Sequence, residues 1–260
     1  IAPPPPARSG AERGGERGGG ATPEGSPPSG ECTRDEGADA APSGAADART
    51  LVLVFSSLGW NGVVRAEWGA TLREVGDESI AVAHALDTAQ SWWLVDPHSG
   101  EYDDGAWWDE HLARLCAPYE RVCILGESMG ATGALRFARL ATEAVVALVP
   151  QIDLRDFEYA GRADFTPERK ARLVGEIRAA CRESGARIVL HVGRDPPDLK
   201  QLSYLPAEAE ESGRLRVVRH DVPGHTLGAG LKAAGLLRKT VLGDLLGHSY
   251  RLPAAGETCA

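Results

Sequence analysis

Val122-Cys123-Ile124-Leu125-Gly126-Glu127-Ser128-Met129-Gly130-Ala131 passes from an apolar run, through Gly-x-Ser-x-Gly, into a helical pattern. The apolar run has the length of a buried strand. Glycines two before and two after the serine suit a very tight strand-to-helix turn, where side chains would meet neighbouring backbone. Such a turn lifts the serine oxygen above the sheet edge. It also sets the N–H of Met129 at a helix N-terminus, where it can donate to a developing oxyanion. Gly133, one helical turn on, lets the helix lie close to the sheet. The bland alternative, in a chain with 31 glycines, is a turn that binds a phosphate or nothing. A strand before the motif and a helix after it argue against that alternative.

The surroundings of this turn alternate in the same way. Leu51 to Phe55 is a short apolar run that ends in Ser56-Ser57-Leu58-Gly59, and Ser91 to Val95 is a second that ends in Asp96-Pro97. Trp107 to Cys116 has helical spacing, Ala131 to Ala141 continues as a helix, and Ala144 to Val149 is a strand stopped by Pro150. Thr166-Pro167 suits an N-cap and first turn, and that helix runs to Glu183 before Ser184-Gly185. Strands follow at Arg187 to Val192 and Leu215 to His220, with a helix from Leu227 to Leu246. Alternation of this kind predicts an α/β fold with a mostly parallel sheet covered on both faces. Strand runs without polar alternation fit burial on both sides.

The chain has 260 residues, with ordinary hydrophobic (43%) and charged (25%) shares, so a soluble globular domain is expected. Residues 1–48 are Pro, Gly, Ala, Ser, Arg and acids, with no aromatic residue and no Leu, Val or Met. Such a stretch buries too little apolar surface to offset its chain entropy, which predicts a disordered tail. The division is then a tail over 1–48, a domain over 49–248 and a short C-terminal tail over 249–260. A net charge of -9 and the absence of a basic patch argue against nucleic acid as a partner. No apolar run approaches the ~20 residues of a membrane span. The chain opens with Ile1, which leaves room for a missing upstream segment, and its start has no signal-peptide pattern. Five scattered cysteines without metal spacing predict reduced thiols and an intracellular, cytoplasmic protein.

A serine hydroxyl needs a base. Of seven histidines, His225 stands in a turn just after the last predicted strand and before the last helix. A loop at the C-terminal end of a strand is where an open α/β sheet presents active-site groups. His220 is its nearest rival, at the end of the strand itself. His191 lies within a strand as a core residue, and His84, His98, His111 and His248 are expected on the surface. The acid that orients the base belongs after the strand Arg187 to Val192, in Gly193-Arg194-Asp195-Pro196-Pro197-Asp198. Asp195 comes almost directly off the strand and is slightly favoured. Asp198 lies one turn further, and Asp153 is a third choice.

The order Ser128, Asp195 or Asp198, His225 is similar to that of the α/β-hydrolase superfamily. The resemblance covers about residues 50 to 248. Gly126-Glu127-Ser128-Met129-Gly130, Gly193-Arg194-Asp195 and Gly224-His225-Thr226 carry it. It implies an α/β-hydrolase fold with an oxyanion hole made by the Met129 N–H and an N–H from Ser56-Ser57-Leu58-Gly59. Leu58 is the first choice for that second donor and Ser57 the next. Ser56-Ser57 stands where the family often has His-Gly. The family more often places its acid three residues after the glycine, a spacing neither aspartate meets, and this keeps Asp198 in play. Phe55-Ser56-Ser57-Leu58-Gly59 and Val149-Pro150-Gln151 resemble a branch whose members are found alongside carbohydrate-modifying enzymes, which does not set a substrate.

Only Gln151 to Phe165 is available for a cap, enough for a short lid lined by Phe157 and Tyr159. Trp60 can shape a pocket, whereas the pairs Trp92-Trp93 and Trp107-Trp108 suit packing. The expected activity is hydrolysis of an ester or thioester of a small or sugar-like acyl substrate. This chemistry requires no metal or organic cofactor. Two alternatives remain: an acyltransferase with the same triad, and a non-catalytic binding or partner protein that keeps the elbow for structural reasons.

Overall fold

The structure is a computed structural model that describes residues 49–59, 63–157, 165–207, 211 and 213–247. The tails expected over 1–48 and 249–260, and Trp60, Tyr159 and His248, lie outside the described residues. Six strands form one sheet: β1 Thr50–Phe55, β2 Ile80–Ala85, β3 Arg121–Glu127, β4 Ala144–Leu148, β5 Arg187–Val192 and β6 Leu215–Arg219. Their order is β2-β1-β3-β4-β5-β6, with every neighbouring pair parallel. Among the described residues the main helices are α1 Gly69–Arg73, α2 Ala106–Cys116, α3 Met129–Arg136, α4 Pro167–Glu183, α5 Pro196–Gln201, α6 Leu227–Ala233 and α7 Gly243–Leu246.

Successive strand residues serve opposite faces. Leu51, Leu53 and Phe55 of β1 join Val122 and Ile124 of β3 in one apolar cluster, which includes residues of α2, α3 and α4. Val52, Val54, Cys123 and Leu125 join a second cluster with residues of α1, α6 and α7. Both faces are thus buried, as the unbroken apolar runs require. Each fully buried Val, Leu or Ile side chain contributes about 1.5–3 kcal/mol.

The structure departs from the expected elements in three places. Ser91 to Val95 is not a strand but a buried turn, with Trp92 and Trp93 at φ 56° and 58°. The Asp87 carboxylate accepts the N–H groups of Ser91 (2.6 Å) and Trp93 (2.9 Å), so a side chain takes the place of a strand ladder. The apolar content of this segment signalled burial, which a turn can also provide. The strand beside β1 is instead Ile80–Ala85, whose alanine content carries little strand preference. This moves His84 from the expected surface to a half-buried position on an edge strand. The single helix expected from Leu227 to Leu246 is interrupted at Gly235, where φ is +69°. Leu236 N–H closes on Leu231 C=O (2.9 Å) there, which ends α6 in a glycine C-cap before a π-helical turn at Arg238–Leu242.

The connection after β1 runs outward to β2, and the one after β3 runs the other way to β4. The C-terminal ends of β1 and β3 therefore adjoin where the winding reverses, with Phe55 opposite Gly126. An open parallel sheet has its natural crevice at such a point.

Candidate active site

Ser128 stands between the last residue of β3 and the first of α3 with φ 56° and ψ −120°. A non-glycine residue in that region is strained and persists only where its surroundings force it. Two glycines make the turn possible. A Cβ on Gly126 would lie 2.1 Å from Gly130 C=O oxygen, and one on Gly130 would lie 2.3 Å from the Phe55 oxygen. Gly133 brings α3 onto the sheet, since a Cβ there would strike the rings of Phe55 and Trp93 at 2.6 Å.

Ser128 Oγ lies 2.7 Å from His225 Nε2, and His225 Nδ1 lies 2.8 Å from Asp198 Oδ1. With Nδ1 protonated, the ring donates to Asp198 and accepts from the Ser128 hydroxyl. Asp198 is 3% exposed and sits in the first turn of α5. The slightly favoured Asp195 takes a different position. Its Oδ1 accepts the Gly224 N–H at 3.0 Å, which holds the loop just before His225. The two aspartates are one helical turn apart, and only the further one reaches the ring. Asp153 is drawn away into an ion pair with Arg155. Ser57 N–H donates to Glu67 Oε2 at 3.3 Å, so this expected donor is engaged. Leu58 and Met129 N–H groups have no partner among the described residues.

No protein-family model and no curated protein matches the sequence. Solved structures do match. The capsule O-acetyltransferase of Neisseria meningitidis serogroup A superposes with a TM-score of 0.57 at 12% identity, covering 75% of this chain and 87% of that one. The chain is similar also to a histidine-to-alanine mutant of that enzyme in complex with CoA, with a TM-score of 0.51 at 12% identity over 72% of this chain and 86% of that one. A structure from the metagenome-derived lipolytic enzymes LipS and LipT gives 0.50 at 11% identity, covering 75% and 94%. The chain has the α/β-hydrolase fold. Among the described residues, the stretch of this fold that could hold a cap contributes only a 3-10 turn at Leu154–Asp156. No helix among them is long and apolar enough to cross a membrane. No group of three or more His, Cys, Asp or Glu among them is arranged to hold a metal ion.

The electrostatics of this site are dominated by acids. The hydrogen bond donated to Asp198 raises the pKa of His225 above the ordinary histidine value, against the opposing effect of burial. The charges of Asp198, Glu127 and Asp195 add to the rise. Glu127 itself is pushed up to about 7 by burial, despite the N–H groups of Gly228 and Leu227 that favour its charge. Sequence reasoning missed Glu127 and Glu67. For Glu127 the available signal was an acid at the end of an otherwise apolar strand, since such a residue must find donors there. Among the described residues, no other histidine is hydrogen-bonded to Ser128. His191 is fully buried as expected, and its Nδ1 lies 2.9 Å from His220 Nε2, so the nearest rival of His225 is spent on a core contact. His111 stacks on Trp107.

Proposed function

We propose that the chain is a serine hydrolase that cleaves an ester or thioester of a small or sugar-like acyl group through an acyl-enzyme. The observation that carries this reading is the hydrogen-bonded sequence Ser128 Oγ, His225, Asp198 at 2.7 and 2.8 Å, built on a strained turn. A scaffold has no need of such a chain. Ser128 Oγ attacks the acyl carbon as its proton passes to His225 Nε2. Asp198 accepts from Nδ1–H and stabilises the imidazolium. The Met129 and Leu58 N–H groups, both without protein partners among the described residues, are the proposed donors to the oxyanion. His225 then gives its proton to the leaving oxygen or sulfur as the C–O or C–S bond breaks. A water repeats the sequence on the acyl-enzyme, returning its proton through His225 and releasing the acid.

The acyltransferase reading differs only in the second nucleophile, an acceptor hydroxyl instead of water. The structural likeness to a capsule O-acetyltransferase, one form of which is bound to CoA, favours keeping it in view. Product analysis with an acyl-CoA, with and without a sugar acceptor, separates transfer from hydrolysis. Cys116, Cys123 and Cys181 are buried free thiols, which supports a reducing, intracellular setting.

The test of activation is covalent labelling by a fluorophosphonate, read by intact mass, on wild type and Ser128→Ala. A single adduct that disappears in Ser128→Ala is the expected result. Folded wild-type protein that takes no adduct would leave a binding or partner protein of the same fold.

A further inference from the structure

We infer that Glu127 is a positioning residue for the Ser128–His225 pair, clamping the histidine loop onto the nucleophile elbow with its buried carboxyl group. The inference rests on the hydrolase reading. Glu127 is the last residue of β3 and joins two loops to the nucleophile elbow. Its main-chain oxygen accepts from Ser57 Oγ (2.9 Å), which ties in the loop after β1. Its side chain turns to the loop after β6, where Oε1 accepts the Gly228 N–H at 2.7 Å. Leu227 N–H faces the same carboxylate. His225 is thus bracketed: Asp195 holds Gly224 before it, and Glu127 holds Gly228 after it.

The fit at Gly228 is close, because a Cβ there would lie 2.6 Å from Glu127 Oε2. Helix α6 has no side-chain cap of its own from Thr226. The Gly228 N–H in its first turn is served by the residue next to the nucleophile, so the placement of the ring and of the serine become one mechanical unit. Among the described residues no Lys or Arg forms an ion pair with Glu127. The groups facing it are Glu67, from the segment before α1, and His225. Beyond His225 stand Asp198 and Asp195 from α5 and its N-cap. Ser57 Oγ lies 2.5 Å from Glu67 Oε2, which brings that second acid to the same junction.

Position and charge can be separated. Glutamine keeps an oxygen for the Gly228 N–H but removes the charge, whereas alanine removes both. The ionised carboxylate favours the imidazolium, so its loss lowers the pH at which His225 frees its lone pair for Ser128. Glu127 and His225 titrate as a coupled pair.

The experiment measures the rate of fluorophosphonate labelling at Ser128 from pH 5 to 9, alongside thermal unfolding. It compares wild type, Glu127→Gln, Glu127→Ala and Gly228→Ala. In Glu127→Gln the plateau rate stays within about threefold of wild type. The ratio of its rates at pH 6 and pH 8 rises about threefold, the effect of roughly half a pH unit in the midpoint. In both alanine variants the plateau falls about tenfold to a hundredfold, the cost of misplacing a catalytic group by about 1 Å. Gly228→Ala leaves Glu127 in the sequence and is favourable to a helix by propensity, so it reports on position even where Glu127→Ala does not fold. A wild-type plateau in Gly228→Ala, or an unmoved profile in Glu127→Gln, overturns the inference while labelling of wild type leaves the hydrolase reading intact. Absence of labelling in wild type overturns both.

Discussion

Asp198→Asn changes one oxygen to an amide at the end of the proposed triad and should nearly abolish nucleophile activation. The carboxylate lies 2.8 Å from His225 Nδ1 and is 3% exposed, while the ring is partly open to solvent. For unit charges about 4 Å apart at an effective dielectric near 20, the attraction between Asp198 and the imidazolium is about 4 kcal/mol. At 1.36 kcal/mol per decade this corresponds to roughly three orders of magnitude in rate. Asparagine adds a second loss. Its NH₂ can donate to Nδ1, which favours the tautomer with the proton on Nε2, and that nitrogen can then no longer accept from Ser128. The combined loss should reach about 10³ to 10⁴. Asp195→Asn is the matched control. Its oxygen can still accept the Gly224 N–H, so the loss should stay within about tenfold, as expected for a neutral hydrogen bond replacing a charged one. The assay is the second-order rate of fluorophosphonate labelling of each variant above pH 8, with circular dichroism to establish folding. A larger loss in Asp195→Asn than in Asp198→Asn, with both folded, would refute the assignment of the acid.

Gly130→Ala places a Cβ 2.3 Å from the Phe55 oxygen, so it should destabilise by about 1–3 kcal/mol or more and lower labelling. Chemical denaturation checks the first effect, and an unchanged midpoint would count against the tightness of the turn. Arg136, with 4% of its side chain exposed, donates to Glu176, Trp93 C=O and Asp104 C=O. Arg136→Met removes all three donors and should cost about 3–5 kcal/mol, read as a lower Tm by calorimetry. Burial raises the folded pKa of Glu127 from 4.5 to about 7, so its contribution to stability is present below about pH 4.5 and lost as pH rises through 7. Glu127→Gln should therefore gain on wild type by up to about 3 kcal/mol between pH 4.5 and pH 8, a trend that thermal unfolding at the two pH values would reveal or refute.

Much of the architecture was legible because its causes are local. Five of the six strands lie in stretches read as strands from the sequence, and Thr166-Pro167 begins α4 as expected, with the Thr166 hydroxyl oxygen accepting the Arg169 N–H. The misreadings of strands have two causes. Hydrophobic content reports burial, which does not distinguish the turn at Trp92-Trp93 from a strand, and the alanines of Ile80–Ala85 carry little strand preference. Gly235 sat inside a helical pattern without showing that the chain would adopt positive φ there.

The same division holds at the site. The sequence by itself determined the elbow, because steric demands at Gly126, Ser128 and Gly130 act over five consecutive residues. It also placed His225 in the loop after β6, since a parallel sheet puts the loops at the C-terminal ends of its strands on the same edge. Only the tertiary structure showed which of Asp195 and Asp198 reaches the His225 ring, and only it brought Glu127 against Gly228. Asp198 and His225 are 27 residues apart, and Glu127 and Gly228 are 101. Contacts at that separation depend on how α5 and α6 pack on the sheet, to within an ångström. A hydrogen bond responds to a displacement of that size, whereas the pattern of apolar residues that builds the sheet does not.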